Sequence, residues 1–121
     1  MTLESLELSS YLEIVHVNVV NPDAVYEYVA RHKGLAPVVI ETVGSVRQTL
    51  DDAHLSIQID NDPETLILYV RSMSRWPGAM EPLFEKLRTW NLRVAEQLAH
   101  TKAWFLVSLD LREHKKERKG P

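Results

Sequence analysis

Cysteine is absent from this sequence of 121 residues, and glycine is scarce, with only four residues. Without cysteine the chain can form no disulfide, no thiolate metal site and no cysteine nucleophile. Glycine-rich phosphate loops and G-x-S-x-G elbows are also absent. No apolar run approaches the roughly 18 residues that span a membrane, and residues 1–10 lack the features of a signal peptide. We therefore expect a cytoplasmic protein without a membrane partner.

Neither sign of charge dominates the sequence. Fourteen lysines and arginines face seventeen aspartates and glutamates, which gives a net charge of −3 and a pI near 5.9. No global field therefore attracts nucleic acid. An apolar fraction of 45% is ordinary for a globular chain of one domain. We predict a single domain over residues 1–121, with a flexible N-terminal arm (1–10) and a charged C-terminal tail (112–121).

The clearest helical pattern lies in residues 80–100. Apolar side chains recur there at steps of three and four, which marks one face of an α-helix of about twenty residues. Such a helix is stable only when its apolar face is packed on other elements. The apolar positions are Met80, Leu83, Phe84, Leu87, Trp90, Val94 and Leu98.

The remaining segments predict a sheet to receive that helix. Strands are predicted at 11–20, 37–50, 54–60, 65–71 and 102–111, and a first helix runs from Pro22 towards Gly34. Gly44 inside the second strand indicates a bulge or bend. The predicted order is β-α-β-β-β-α-β, an α+β fold with two helices on one face of an antiparallel sheet. This pattern resembles the ferredoxin-like (α/β-plait) architecture with one extra strand.

The sheet face away from the helices is the most informative part of this prediction. If Phe105 and Val107 face the core, then Trp104 and Leu106 point the other way. We expect that open face to carry an apolar patch, which usually marks an interface or a ligand groove. The residues assigned to it are Ile14, His16, Asn18, His54, Ser56, Gln58, Trp104, Leu106 and one side of strand 65–71. Its interface candidates are Ile14, Trp104 and Leu106.

His16 and Asn18 are the candidate catalytic residues, as a general acid or base and an orienting amide. A structural histidine is the simpler interpretation, because no acidic partner is fixed in the sequence. The five histidines show no metal-ligand spacing, so we predict no metal and no cofactor.

Arg71, Arg75 and Trp76 precede the long helix and are the candidate ligand-binding residues. Helix N-termini attract anions, and two arginines with an indole suit a small anionic ligand. The simpler interpretation is a loop whose Trp76 folds back on the core.

The composition and patterns favour a non-catalytic ligand-binding, regulatory or assembly domain that forms a homodimer through the open face. The alternative is a small cofactor-independent enzyme with its pocket on that face and His16 as acid or base. A plait that binds RNA through the basic tail is a third possibility, although no strand carries an aromatic RNA-stacking signature. We therefore expect no nucleic-acid partner.

Overall fold

The computed structural model describes residues 2–61, 63–71 and 80–109, with only the backbone for residues 80–82. These ranges contain four helices and four strands in the order α-β-α-α-β-β-α-β. The α+β class is confirmed, whereas the order β-α-β-β-β-α-β is not. The helices are α1 (Leu3–Ile14), α2 (Pro22–Arg31), α3 (Leu35–Thr49) and α4 (Met80–Gln97). The strands are β1 (Asn18–Val19), β2 (His54–Asp60), β3 (Thr65–Arg71) and β4 (Phe105–Leu109).

The four described strands form one open sheet in the order β1-β2-β3-β4. β2 and β3 pair as an antiparallel hairpin, but β1 is parallel to β2 and β3 is parallel to β4. Parallel neighbours need a crossover connection, and helices lie between the strands of each parallel pair. The sheet is therefore mixed rather than antiparallel, and the ferredoxin-like arrangement is not confirmed.

Helix α1 replaces the predicted N-terminal arm and the first four residues of the predicted strand 11–20, of which only Asn18–Val19 form a strand. It begins after Thr2, whose side chain accepts a hydrogen bond from the Ser5 amide at 3.1 Å. Leu8 and Leu12, four residues apart, are fully buried. Their burial corrects the interpretation of residues 1–10 as a flexible arm. The β-branched residues after position 13 favour a strand, and the predicted strand wrongly included the helical residues 11–14 before them.

Helix α3 replaces the predicted strand 37–50. Leu35, Val39 and Val43 follow each other at four-residue steps and are fully buried. The many β-branched residues predicted a strand, but packing along this helical stripe outweighs their propensity. Gly44 marks a close approach rather than a bulge, because a Cβ there would lie 3.0 Å from the Tyr11 hydroxyl of α1.

The hairpin β2–β3 occupies the two segments predicted for it, and β3 is a central strand as expected. Helix α2 begins at the predicted Pro22. Its last residue, Arg31, donates a hydrogen bond to Glu64 of the hairpin turn at 2.9 Å. This bond raises the pKa of Arg31 above its ordinary value, so the guanidinium stays charged.

All four described helices contribute to one core with the sheet. α2 packs on β2 and α4 on β4, while α3 contacts both α1 and α4. Trp90, Val94 and Leu98 confirm the predicted buried stripe of α4, whereas Phe84 is half exposed and Leu87 only partly buried. The buried apolar strand residues share one face of the sheet: Leu55, Ile57, Leu66, Leu68, Val70, Phe105 and Val107.

Candidate functional site

The other face of the sheet, which we call the open face, consists of rows of side chains fixed by the strand register. Alternate residues of a strand point to opposite faces, so the outward residues are the neighbours of the buried ones. Three paired rows follow: His54 with Arg71; Asn18, Ser56, Tyr69 and Ser108; and Gln58, Ile67 and Leu106. A fourth row pairs Asp60 with Thr65. Trp104 extends this row, since the β3–β4 register places it beside Thr65.

The β4 side of the open face is apolar and exposed. Trp104 retains 58% and Leu106 45% of its accessible surface, while the intervening Phe105 and the following Val107 are buried. The alternation expected along this strand is therefore observed. Ile67 of β3, half-buried, lies beside Leu106 in the register. These residues form a strip of apolar surface along one half of the open face.

The two ends of the open face differ in charge. At one end the Asp60 carboxylate accepts hydrogen bonds from the Gln58 amide at 2.9 Å and from the Tyr69 hydroxyl at 3.0 Å. At the other end Arg71 lies directly across from His54. A carboxylate can accept about four hydrogen bonds, so Asp60 keeps capacity for a further donor.

Both edges of the sheet are poorly suited to pairing with another strand. At the β4 edge, the Asn91 side chain of α4 accepts a hydrogen bond from the Val107 amide at 2.8 Å. The same side chain donates to the Val107 carbonyl at 3.0 Å. The opposite edge, β1, is only two residues long. Asn91 occupies the amide and carbonyl of Val107, and the two-residue β1 offers few backbone groups, so both edges disfavour the addition of another strand.

The backbone of Trp104 is fixed from two sides. Its amide donates to the hydroxyl of the buried Tyr28 at 2.8 Å, and its carbonyl accepts from the Leu66 amide at 2.9 Å. These two hydrogen bonds fix the backbone of Trp104 directly before β4.

His16 lies in a turn that ends α1 and is not part of a strand. Its φ of 60° is left-handed, and its amide donates to the Glu13 carbonyl at 3.2 Å. The next amide, of Val17, donates to the Leu12 carbonyl at 2.9 Å. This pair of bonds is the Schellman motif, in which the His16 position is usually glycine. His16 thus has a structural role in ending the helix.

The His16 side chain borders a surface cleft of about 440 Å³ that Asn18 does not line. Arg47 lies in this cleft, and its guanidinium donates to the carbonyls of Val15 (3.0 Å), Asp51 (3.3 Å) and Ala53 (2.7 Å). These bonds hold the cleft wall together. The lining residues are Val15, His16, Arg47, Asp51, Asp52, Ala53 and His54. Within the described ranges, no group of three or more histidine and acidic side chains is arranged to hold a metal.

The structure brings only some of the predicted site residues together. Asn18 and Arg71 lie on the open face with Trp104 and Leu106. Ile14 is the exposed last residue of α1 and belongs to no strand, because α1 continues through the segment predicted as the first strand.

The candidate anion site is described only in part. Arg75 and Trp76 lie outside the described residues, and Arg71 is the last residue of β3. An anionic ligand at this position therefore stays a prediction.

Two residues that shape the site were missed by the sequence reasoning. Asn91 follows Trp90 and precedes Val94 by three positions, but other polar side chains border the same buried stripe, so the sequence does not single out Asn91. Arg47 borders the buried stripe of α3 in the same way, but its position had no meaning while that segment was interpreted as a strand.

Comparison of the chain with family models, curated proteins and solved structures found no match. Among the helices described, none combines the length and apolar character needed to cross a membrane. The functional assignment therefore depends on the geometry of the open face.

Proposed function

We propose that this protein is a non-catalytic binding or assembly module that self-associates through its open face. The observation that supports this proposal is the exposed pair Trp104 and Leu106 beside Ile67. Apolar area removed from water contributes roughly 25 cal/mol per Å², and contiguous exposed patches usually mark interfaces. A homodimer would remove this strip from water on both subunits at once.

A second copy of the chain suits the open face because a twofold contact uses the same patch on both subunits. Asn91 covers one edge of the sheet and β1 limits the other. Contact face to face therefore fits the molecule better than strand addition. Polar side chains such as Ser56, Gln58 and Ser108 would lie inside the contact, where they offer hydrogen bonds to a small ligand and a route to regulation.

The alternative function, an enzyme with His16 as acid or base, has less support. A catalytic site needs polar groups that converge on one reacting position. His16 and Asn18 do not line the same cleft. The left-handed turn also gives His16 a structural role that needs no catalytic explanation.

Sedimentation velocity over a range of protein concentrations tests the proposal. We expect the wild-type chain to dimerise reversibly and Leu106→Glu to be monomeric, because the variant places two carboxylates in an apolar contact. A loss on the order of 2–4 kcal/mol of association free energy is expected for a central contact residue. Leu92→Glu is the matched control, since Leu92 is a 60% exposed leucine on α4, and it should leave the dimer intact.

Thermal melts of both variants establish that they are folded. A wild-type chain that stays monomeric at high micromolar concentration would contradict the proposal. Equal weakening by Leu106→Glu and Leu92→Glu would also contradict it, because the contact would then lie elsewhere.

A further inference from the structure

The charges at the two ends of the open face point to one arrangement of the dimer. We infer that the two sheets face each other with their β2 strands antiparallel, so that the Asp60 end of each open face meets the end of the partner's open face that carries His54 and Arg71. This inference rests on the proposed function and adds the orientation of the partner copy.

Only two twofold arrangements bring an open face onto itself with the strands roughly aligned, as packed sheets prefer. The twofold axis lies between the sheets and runs either along the strands or across them. An axis along the strands keeps the rows in place and exchanges the two sides of the sheet. An axis across the strands reverses the rows and keeps β3 over β3 and β4 over β4.

Charge separates the two arrangements. With the axis along the strands, the Arg71 end meets the partner's Arg71 end and Asp60 meets the partner's Asp60. Like charges in a contact disfavour association. With the axis across the strands, each carboxylate end meets a guanidinium end. Asp60, which already orders Gln58 and Tyr69 around it, then lies over His54 of the partner subunit. It is one strand, about 5 Å, to the side of Arg71 of the partner subunit, within reach of that long side chain.

The apolar strip favours the same arrangement. Leu106 and Trp104 lie at the β4 side of the sheet, whereas the β1 side carries the exposed Asn18. An axis along the strands and over the middle of the sheet places the β4 side over the partner's β1 side, where the apolar strip meets polar residues. Moving that axis towards β4 brings the strips together only by leaving the β1 side out of the contact. An axis across the strands places the apolar half of one subunit over the apolar half of the other.

The size of the face predicts a dimer that dissociates on dilution. The strands β1, β2, β3 and β4 have two, seven, seven and five residues, and each residue covers about 3.3 Å by 4.8 Å of sheet. The footprint is therefore about 330 Å², against the ~800 Å² that each partner buries in a standard interface. In so small a contact, the charged residues contribute measurably to the free-energy difference between the two arrangements of the dimer.

Charge reversal tests the orientation. Asp60→Arg and Arg71→Asp should each raise the dimer dissociation constant by about tenfold, since each change affects two symmetric pairs. The double variant Asp60→Arg/Arg71→Asp restores both pairs and should return the constant to within about threefold of wild type. Asp60→Asn is the neutral control for lost hydrogen bonds to Gln58 and Tyr69, and thermal melts report folding.

A distance measurement gives a second, independent test. Because the chain has no cysteine, His54→Cys accepts a single spin label at one end of the open face. Antiparallel β2 strands separate the two labelled positions by about 22 Å, whereas the other arrangement brings them to about 11 Å, with sheets packed ~10 Å apart. Electron paramagnetic resonance on the dimer distinguishes these distances.

The outcomes separate the orientation from the dimer itself. Rescue by the double variant together with the longer distance supports the inference. No rescue, or the shorter distance, overturns the orientation while the effect of Leu106→Glu still supports self-association. A monomeric wild type overturns both, and the open face would then serve a different partner.

Discussion

The two faces of strand β3 carry similar side chains and have different surroundings. Leu66, Leu68 and Val70 are fully buried beneath the helices, whereas Ile67 and Tyr69, on the other face, are half-buried. Both faces of β3 carry large apolar side chains, so the presence of such residues alone does not identify the core. The arrangement of the helices decides which face is covered, and the uncovered face keeps apolar surface available for a partner.

The largest difference between the faces should appear in stability. Leu68→Ala removes a fully buried side chain and should lower the free energy of unfolding by about 2–5 kcal/mol. Ile67→Ala, one position along on the open face and only partly buried, should cost about 1–2 kcal/mol at protein concentrations where the chain is monomeric. Urea denaturation measures both. Equal losses would mean that the open face is covered in the monomer.

A smaller effect is expected at the sheet edge, where the two faces meet. Asn91→Ala leaves the amide and carbonyl of Val107 without their side-chain partner and should cost about 1–3 kcal/mol. Leu92→Ala, on the exposed side of the same helix, should change stability by no more than about 0.5 kcal/mol.

Amide hydrogen exchange resolves the edge directly. The Val107 amide should lose protection in Asn91→Ala and keep it in Leu92→Ala. Unchanged protection of Val107 in both variants would show that Asn91 does not close the edge.

The smallest expected effect on stability comes from replacing a histidine by glycine, at the end of α1 and on the open face. His16→Gly relieves a left-handed backbone position and should raise stability by about 0.5–1 kcal/mol. His54→Gly, at the start of β2, should instead lower it by a similar amount, because glycine weakens a strand. Thermal melts decide between these signs. Destabilisation by His16→Gly would mean that the imidazole itself contributes to the fold.

The elements that could be predicted from the sequence are those in which the local pattern favours the same secondary structure that packing in the fold requires. The hairpin β2–β3 alternates cleanly and has a strong turn, and α4 has a long helical stripe. α3 could not be predicted by composition, since its valines and isoleucine favour strands. Its four-residue spacing was present in the sequence, but burial against α1 and α4 was needed to make that spacing decisive.

The candidate site was predictable to the extent that strand alternation controls it. The outward position of Trp104 and Leu106 follows directly from the burial of Phe105 and Val107, because alternate residues of a strand point to opposite faces. Ile14 and His16 were assigned to the sheet because a helix end and a strand start were merged. The cross-strand neighbours of Leu106 and Arg71 needed the register, and a register depends on pairing partners that a single strand does not reveal.

Arg47 has a consequence for how the molecule opens. Its guanidinium joins the carbonyl of Val15, 32 residues earlier in the chain, to two carbonyls just before β2. Releasing the end of α1 therefore also releases the connection between α3 and the sheet. Local unfolding events usually involve contiguous cooperative units. We therefore expect the N-terminal helix and the start of the hairpin to open as one such unit, which would couple the beginning of the chain to the His54 end of the open face.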